Sequence, residues 1–427
     1  MDATSAGQWT MHAWAMATAA TVAASCALVG TLLVVRRMSL LGDAIAHAVL
    51  PGIAVGVLAG GGLGGPVVLA GAVAAALVTV WLTSALKAAV GLDEDAGAGV
   101  VFMALFALGV VLITLVASRI DLDPACVLYG VLEFVPFDTV ALGGLAVPRA
   151  LVTAVLVLGA LVAALTATWK FQVFAAFDAD AARAVGVPVG PVTAGLLGAT
   201  ALATVAGFDA VGAVLVVAML VVPAAAAELL VQRLHRVVLV AVVLAVAGAV
   251  IGYLAAWRWN ASAAGMIAVV LGIEYAVATF LAPGDGLVAQ GLAGLRLGWR
   301  VAGEDVLASV WRVEERTAVA GPVAMPRPTT PLGRLAAWWL VIDGRLERVG
   351  GGWRLTARGR RHAEMIVRSH RLWEAWLGRH ADIPLDHLHP PAEWVEHHLG
   401  SAMRERLEAE MGRRESDPHG REIPREA

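Results

Sequence analysis

Cysteine and charged residues are scarce in this chain of 427 residues. Two cysteines exclude a disulfide framework and a cysteine-based zinc cluster. Charged residues make up only 15% of the sequence, against 59% hydrophobic residues, and this balance excludes an ordinary soluble globular protein. The chain also lacks the phosphate-binding pattern Gly-x-x-x-x-Gly-Lys-Ser/Thr. We therefore predict a polytopic membrane protein that does not hydrolyse ATP itself and is not an enzyme.

The hydrophobic residues are concentrated before Pro283. Ala, Val, Leu and Gly dominate up to that point, whereas Arg, Glu, His, Trp and Pro dominate afterwards, where no window is long and apolar enough to cross a bilayer. We predict an all-α membrane domain over 1–285 with about nine transmembrane helices, a linker over 286–302 and a small α-rich domain after it. The predicted spans are 11–35, 43–60, 65–86, 98–118, 149–169, 190–207, 210–230, 237–256 and 263–282.

The basic residues between the predicted spans indicate the orientation. If the amino terminus lies outside the cell, most of them fall in cytoplasmic connections, as the positive-inside rule requires. An odd number of spans then leaves the polar C-terminal domain in the cytoplasm. Residues 119–148 are too long and too apolar for a simple external loop, and we expect a short helix there that dips into the protein.

The stretch Arg36–Gly52 interrupts the apolar pattern with ionisable side chains. Asp43 and His47 are four residues apart and share one face if the segment is helical. A carboxylate and an imidazole at that spacing can bind one cation, and ionisable groups inside a membrane are functional candidates by default. The alternative is a helix N-terminus, with Ser39 or Asp43 as the cap and His47 packed in the core. The residues alone leave both interpretations open.

The connection after the fifth predicted span has the pattern of a short helix. Asp178 precedes a helix-forming run and Gly186 follows it, so the segment predicts a capped helix. It is either an amphipathic helix at the membrane surface or a lever on which a motor protein acts.

Five segments resemble, in the right order, the permease subunits of zinc, manganese and iron ABC importers. Arg36–Gly52 resembles the family signature, and Phe177–Gly186 resembles the coupling helix that docks on the ATPase. The others are the acidic start of the fourth span, Leu92–Phe102, the external segment of manganese-type members, Asp121–Gly130, and the long span that ends at Pro223, Asp209–Ala227.

This resemblance implies that Asp43 and His47 line the translocation pathway of a divalent metal ion. The residues implied in ATPase coupling are Phe177, Asp178, Ala182 and Gly186. The implied partners are an ABC ATPase subunit, an extracellular metal-binding solute-binding protein, and a second copy of the permease or a paralogous permease, all at the bacterial cytoplasmic membrane. Ligand type alone does not separate manganese, iron and zinc.

The tail contains most of the eleven histidines. Glu393, Glu396 and His397 occupy positions i, i+3 and i+4 and share one face of a predicted helix. With His370 from a neighbouring helix, they form a set of oxygen and imidazole ligands that suits manganese or iron. A solvated helix face is the alternative interpretation of the same pattern.

Three tail segments resemble the metal-binding and dimerisation domain of the diphtheria-toxin-repressor and manganese-regulator family; they are Leu355–Glu374, His389–His397 and Ser416–Pro424. We assign this helical domain to 361–427. The resemblance implies a manganese-type site formed by His370, Glu393, Glu396 and His397, and an ancillary site that includes Glu374 and His389. Glu393 stands where iron-type members have a cysteine, and its carboxylate favours the harder manganese ion.

The segment 303–360 resembles a degenerate form of the winged-helix half of that family. Asp305 stands at a ligand position, but Ala308 stands where a second acidic ligand is expected. Leu332–Thr356 resembles a helix followed by a wing, whereas Thr317–Pro331 has four prolines and no amphipathic pattern. Because the first elements of a helix-turn-helix are missing, we expect no nucleic-acid partner.

These observations favour a metal-importing ABC permease, with manganese as the leading ion and a tail that senses cytosolic metal. Zinc or iron import by the same machinery is one alternative, and a membrane-anchored metal-dependent transcriptional regulator is another. A third possibility is a tail that dimerises without metal.

Overall fold

The computed structural model describes residues 3–59, 66–91, 94–117, 132–284, 286–317, 330–381, 384, 395, 397, 401–411 and 416–424. The chain divides into two compact units, residues 1–289 and 290–427, and each unit is described by itself.

The described residues of unit 1 are almost entirely helical. The helices are α1 (Ala3–Val35), α2 (Ser39–Ala48), α3 (Leu50–Leu58), α4 (Pro66–Val90), α5 (Glu94–Ala117), α6 (Arg149–Phe177), α7 (Ala179–Ala184), α8 (Val189–Val211), α9 (Ala213–Leu230), α10 (Leu234–Trp259) and α11 (Ala263–Leu281). A 3-10 helix (Leu132–Phe137) and a hairpin of β1 (Thr139–Leu142) and β2 (Leu145–Pro148) lie between α5 and α6.

Helix α1 lies in the core of unit 1 and is lined by small side chains. Ala19, Ala23 and Cys26 recur at helical spacing, and none of them is exposed. Small residues let helices approach closely, and this close packing drives helix association in lipid. At Gly30, an added Cβ atom would lie only 1.9 Å from the backbone oxygen of Leu220 in α9. Glycine is therefore required where α1 meets α9.

Six described helices are long and apolar enough to cross a membrane: Trp9–Val35, Arg149–Phe177, Val189–Phe208, Ala213–Leu230, Leu234–Trp259 and Ala263–Leu281. Six of the nine predicted spans are therefore confirmed as helices of sufficient length and hydrophobicity. The apolar stretches of α4 and α5, Ala70–Thr83 and Gly99–Leu115, are shorter. The predicted span 43–60 is not one helix, because it is divided between α2 and α3.

The predicted short helix within 119–148 corresponds to the 3-10 helix; residues 118–131 lie outside the described part of the chain. The hairpin that follows was not predicted. Strands β1 and β2 are antiparallel, with Leu142 opposite Leu145. Gly143 and Gly144 between them both have positive φ, at 59° and 89°. A two-residue hairpin turn of this kind requires left-handed backbone, which glycine adopts without steric cost.

Unit 2 consists of helices around one small hairpin. Its elements are α12 (Leu287–Thr317, which begins three residues before the unit boundary), α13 (Pro331–Ile342), β3 (Leu346–Val349), β4 (Gly352–Leu355), α14 (Ala357–His380) and α15 (Ser401–Met411). Residues Val306, Leu307 and Val310 of α12 pack with Leu340 of α13 and Ala363 of α14 in its core.

Residues 286–302 were predicted as a linker, but from Leu287 onward they form the first part of helix α12. A helix and a hairpin occupy 331–355, where a helix followed by a wing was predicted. Between α12 and α13, residues 318–329 lie outside the described part. The winged-helix interpretation stays a prediction.

Candidate metal pathway and tail metal centre

The polar stretch Arg36–Gly52 forms a helix that is interrupted beside His47. Helix α2 ends at Ala48, and α3 begins at Leu50. Pro51 has no N–H group and cannot donate to the carbonyl oxygen of His47, four residues earlier. Val49, between the two helices, keeps right-handed helical backbone, with φ −72° and ψ −22°, and its N–H donates to the carbonyl oxygen of Ile45 at 3.2 Å. The interruption is therefore a missing hydrogen bond at Pro51 and not an unwound segment.

His47 is half-buried and packs against two aromatic rings of α5. The centroid of its ring lies 5.5 Å from that of Phe102 and 5.9 Å from that of Phe106. Asp43 lies one turn earlier on α2, as predicted, but the placement of its side chain is outside what the structure describes. The structure therefore places both predicted pathway residues on one short helix.

Close packing fixes the position of this broken helix. An added Cβ at Gly42 would lie 2.9 Å from a methyl carbon of Leu220. An added Cβ at Gly52 would lie 2.2 Å from the backbone oxygen of Gly71. Thus α2 lies directly against α9, and α3 lies directly against α4. A shift of α3 toward α4 would cause a backbone clash, and a shift of α2 toward α9 would press on the side chain of Leu220.

Arg36, directly after α1, joins three helices. Its Nη2 donates to the side-chain oxygen of Gln172 at 2.5 Å and to the backbone oxygen of the same residue at 3.2 Å. Its Nη1 lies 3.4 Å from the hydroxyl of Thr193 in α8. These contacts were not predicted, because no local pattern connects Arg36 with Gln172 or Thr193.

The predicted capped helix is α7, and its caps are as predicted. The carboxylate of Asp178 accepts hydrogen bonds from the N–H groups of Asp180 and Ala181, both at 2.9 Å. Gly186 ends the segment with a φ of 86°. Ala182 is buried against α6 and α8, whereas Phe177 is 78% exposed. The packing of Ala182 thus holds α7 in place, and the aromatic ring of Phe177, directly before α7, is exposed.

In the tail, His397 lies between two neighbouring carboxylates of α12. Its Nε2 is 3.1 Å from Oδ1 of Asp305, and its Nδ1 is 2.7 Å from Oε2 of Glu304. Asp305 and His397 were both predicted as ligands, and the structure brings them together. Glu304 was not predicted, although it directly precedes Asp305.

Glu304 is held in its charged form. Burial alone would raise its pKa, but hydrogen bonds from His362 and His397, together with the charges of His397 and Arg300, lower the pKa of Glu304 to about 2. Arg300 also donates to the backbone oxygen of His397 at 2.9 Å. The backbone and ring of His397 are therefore both held by α12.

A second group of ligand-type side chains surrounds Glu374. Its Oε1 lies 3.2 Å from Nε2 of His370 and its Oε2 lies 4.0 Å from Nδ1 of His419. Glu374, Asp417 and His419 each offer one ligand atom, and these three atoms all lie within 4.8 Å of one another. Two buried carboxylates and an imidazole are donors that suit manganese. This group fits a divalent ion.

Asp417 is ordered by its surroundings. One carboxylate oxygen accepts the N–H groups of His419 and Arg421 at 2.9 and 2.8 Å. The other lies 3.7 Å from Nε of Arg371, which also forms two hydrogen bonds with Glu315. Asp417 and His419 were not predicted as ligands. The sequence feature that could have indicated them is the family-like segment Ser416–Pro424, which contains both residues.

The remaining predicted tail ligands have different outcomes. Glu393, Glu396 and His389 lie outside the described residues. Ala308 stands where an acidic ligand was expected, and it is buried against Ile366 and Val367. An ion bound at Asp305 therefore has no carboxylate ligand at position 308.

The membrane unit is similar to known metal transport permeases. The model of the ABC 3 transport family matches residues 8–282. The manganese transport system membrane protein MntD of Bacillus subtilis (strain 168) is 40% identical over 289 residues, which are 67% of this chain and 97% of that protein. The zinc transport system membrane protein TroD of Treponema pallidum (strain Nichols) is 34% identical and covers 63% of this chain and 74% of its own.

Similarity also extends to a solved structure and to the tail. PsaBC from Streptococcus pneumoniae in complex with Fab aligns with a TM-score of 0.55 and 26% identity, over 64% of this chain and 92% of that chain. Residues 356–425 match the metal binding and dimerisation domain of the iron dependent repressor. The chain thus belongs to the ABC 3 transport family of membrane permeases and carries an iron-dependent-repressor-type domain at its C-terminal end.

Proposed function

We propose that this chain is the permease subunit of an ABC importer that moves a divalent metal ion, manganese in the first place, across the bacterial cytoplasmic membrane. The observation that carries this proposal is the broken helix α2–α3, which bears Asp43 and His47 within a bundle of the ABC 3 transport family. Manganese is favoured because relatives of this chain are manganese transport proteins and because the tail offers carboxylate and imidazole ligands.

The metal ion is the cargo, so the pathway site has to release it. Asp43 and His47 would supply one carboxylate and one imidazole, and water would complete the coordination shell. An ion held by an incomplete set of protein ligands is bound weakly enough to leave the site, as transport requires.

The same proposal assigns the partners. The sequence carries no phosphate-binding loop, so ATP hydrolysis belongs to a separate ABC ATPase, which docks on α7 and on Phe177 at the end of α6. A solute-binding protein delivers the metal from outside, and a second permease chain completes the pathway. We further propose that α2–α3, α4 and α5 also cross the membrane; nine spans with an external amino terminus would put the tail in the cytoplasm.

We assign a metal-sensing role to the tail. His397 and Asp305 would hold one ion together with Glu393 and Glu396, and Glu374, Asp417 and His419 would hold a second ion. His370, predicted in the same site as His397, lies 3.2 Å from Glu374 and is assigned to the second group. A bound cation would supply positive charge that offsets the repulsion among these carboxylates. Asp305 and His397 link α12 to the segment after α14, and Glu374 links α14 to Asp417 and His419 in the C-terminal segment, so metal occupancy would change how firmly these elements are held together.

The pathway assignment is tested by manganese uptake into cells that produce this chain with its ATPase and binding protein. Exchange of His47 for alanine should reduce uptake by at least about tenfold, because an ion ligand is lost, while the protein still reaches the membrane. His12→Ala is a matched control, since His12 contacts Tyr253 in the same unit. Normal uptake by His47→Ala would overturn the assignment. Competition by zinc and iron in the same assay identifies the preferred ion.

A further inference from the structure

Helix α13 exposes its large apolar side chains and buries its small ones. The buried positions are Gly333, Ala336, Ala337 and Leu340. The exposed positions include Leu335 at 56%, Trp338 at 66% and Ile342 at 63%. A helix at the surface of a water-soluble domain normally shows the opposite arrangement. This side of α13 is therefore built to contact something other than water.

The apolar side of α13 continues onto α12. Trp299 of α12 and Trp339 of α13 have ring centroids 6.2 Å apart in an edge-to-face arrangement. One turn before Trp299, Leu295 is 67% exposed. An added Cβ at Gly298 would lie 3.7 Å from a methyl carbon of Leu332, so the two helices are in van der Waals contact there. We name the surface formed by Leu295, Trp299, Leu335, Trp338, Trp339 and Ile342 the α12–α13 apolar surface.

The helical segments that carry this surface contain basic but no acidic residues. Residues 290–303 and 330–342 contain three arginines, whereas the acidic residues Glu304, Asp305 and Asp343 follow directly after these segments. Arg300 is engaged with Glu304 and with the backbone of His397. Arg296 and Arg334 are exposed. The surface is thus a broad apolar and tryptophan-rich patch with arginines next to it.

We propose that the α12–α13 apolar surface docks on the lipid bilayer in which the chain is embedded, at the boundary between headgroups and acyl chains. Tryptophan is enriched at this boundary because its ring is apolar and its N–H is polar. Arginines beside an apolar helix face favour anionic phospholipid headgroups. Exposed apolar patches of this extent mark protein or membrane contacts.

The chain connectivity favours lipid over a soluble protein as the occupant. Helix α12 begins at Leu287, and the last membrane helix ends at Leu281. The start of α12 is therefore only a few residues from a membrane helix, and a surface tethered in this way meets the bilayer at a high effective concentration. The tail of a second permease chain would be tethered as well, but it would bring Arg296 and Arg334 against the same residues of the first copy.

The proposal can be tested with spin labels on the full chain in nanodiscs that contain phosphatidylglycerol. A Cys26→Ala, Cys126→Ala background receives one cysteine at a time, as Trp338→Cys or Ile342→Cys. Collisions with oxygen, which concentrates in lipid, and with a water-soluble nickel chelate are then measured. Leu239→Cys, on the 65% exposed side chain of a membrane helix, is the lipid control, and Arg361→Cys, at an exposed position of α14, is the water control.

Docking predicts that labels at positions 338 and 342 collide with oxygen as often as the label at 239 and collide rarely with the nickel chelate. In nanodiscs of neutral lipid, or after Arg296→Glu with Arg334→Glu, their nickel collisions should rise. Labels that behave like the one at 361 would show a water-exposed surface and overturn the proposal. Labels shielded from both reagents would show a protein partner and would overturn it equally.

Discussion

The guanidinium of Arg36 donates a hydrogen bond to the side-chain oxygen of Gln172, 136 residues further along the chain. Gln172 is 3% exposed, and it lies five residues before Phe177, at the end of the helix that leads into α7. The contact therefore ties the segment that precedes α2 to the segment that precedes the proposed ATPase docking site. We expect this contact to transmit a movement of α7 to the proposed pathway helix.

Loss of this connection should destabilise unit 1. We expect Arg36→Gln to reduce the free energy of unfolding by about 1–3 kcal/mol, because Gln172 loses a charged hydrogen-bond partner in a buried setting. Arg37→Gln is the matched control, since Arg37 is exposed. Thermal unfolding in detergent measures both. Equal melting temperatures of the two variants would contradict the structural role of Arg36.

Phe177 should be required for the ATPase to bind but not for the fold. Its ring is 78% exposed, so Phe177→Ser removes apolar docking area without opening a cavity in unit 1. We expect normal membrane levels and a clear loss of the ATPase in co-purification. Phe134→Ser is the control, because Phe134 is 64% exposed in the 3-10 helix. Retention of the ATPase by Phe177→Ser would show that docking uses another surface.

The group around Glu374 should bind manganese in the purified chain. Glu374→Gln keeps the shape of the side chain and removes its charge, and we expect manganese affinity at this site to fall by at least about tenfold. Titration of the free-manganese signal by electron paramagnetic resonance measures the change. Glu347→Gln, in the hairpin of unit 2, tests for a general effect of lost negative charge. An unchanged titration curve for Glu374→Gln would exclude this group as a metal centre.

The tail should limit import when metal is abundant. If metal at Asp305 and His397 restrains the transporter, Asp305→Ala combined with His397→Ala will raise cellular manganese at high external manganese and leave it unchanged at low manganese. A chain that ends at Ala289, the last residue of unit 1, should behave in the same way. Cellular manganese is measured by mass spectrometry. A truncated chain with lower or equal accumulation at high manganese would argue against feedback by the tail.

Local signals in the sequence predicted several features that the structure contains. Asp178 and Gly186 delimit α7 because a side-chain cap and a left-handed glycine act within a few residues. The apolar runs that became the six long helices were visible for the same reason. Family resemblance predicted His397 and Asp305 each as a ligand, but it did not predict that these two residues, 92 positions apart, contact each other.

Other features could not be predicted because their signals are not local. Glu304 contacts His362 and His397 from a helix whose only visible ligand candidate was Asp305. The break between α2 and α3 was missed because the apolar run continues across Pro51. The β1–β2 hairpin was missed because its two glycines stand in an otherwise apolar segment.

The sequence by itself determined that the chain is a membrane permease with a polar tail, since hydrophobic length, helix caps and family-like motifs are properties of neighbouring residues. Only the tertiary structure decided which distant side chains meet: Arg36 with Gln172, Glu374 with Asp417 and His419, and Trp299 with Trp339. The physical reason is that such contacts depend on which faces of the helices are packed together. Packing also decided that α13 buries its alanines and exposes its tryptophans, and this inverted surface is where we expect the bilayer to bind.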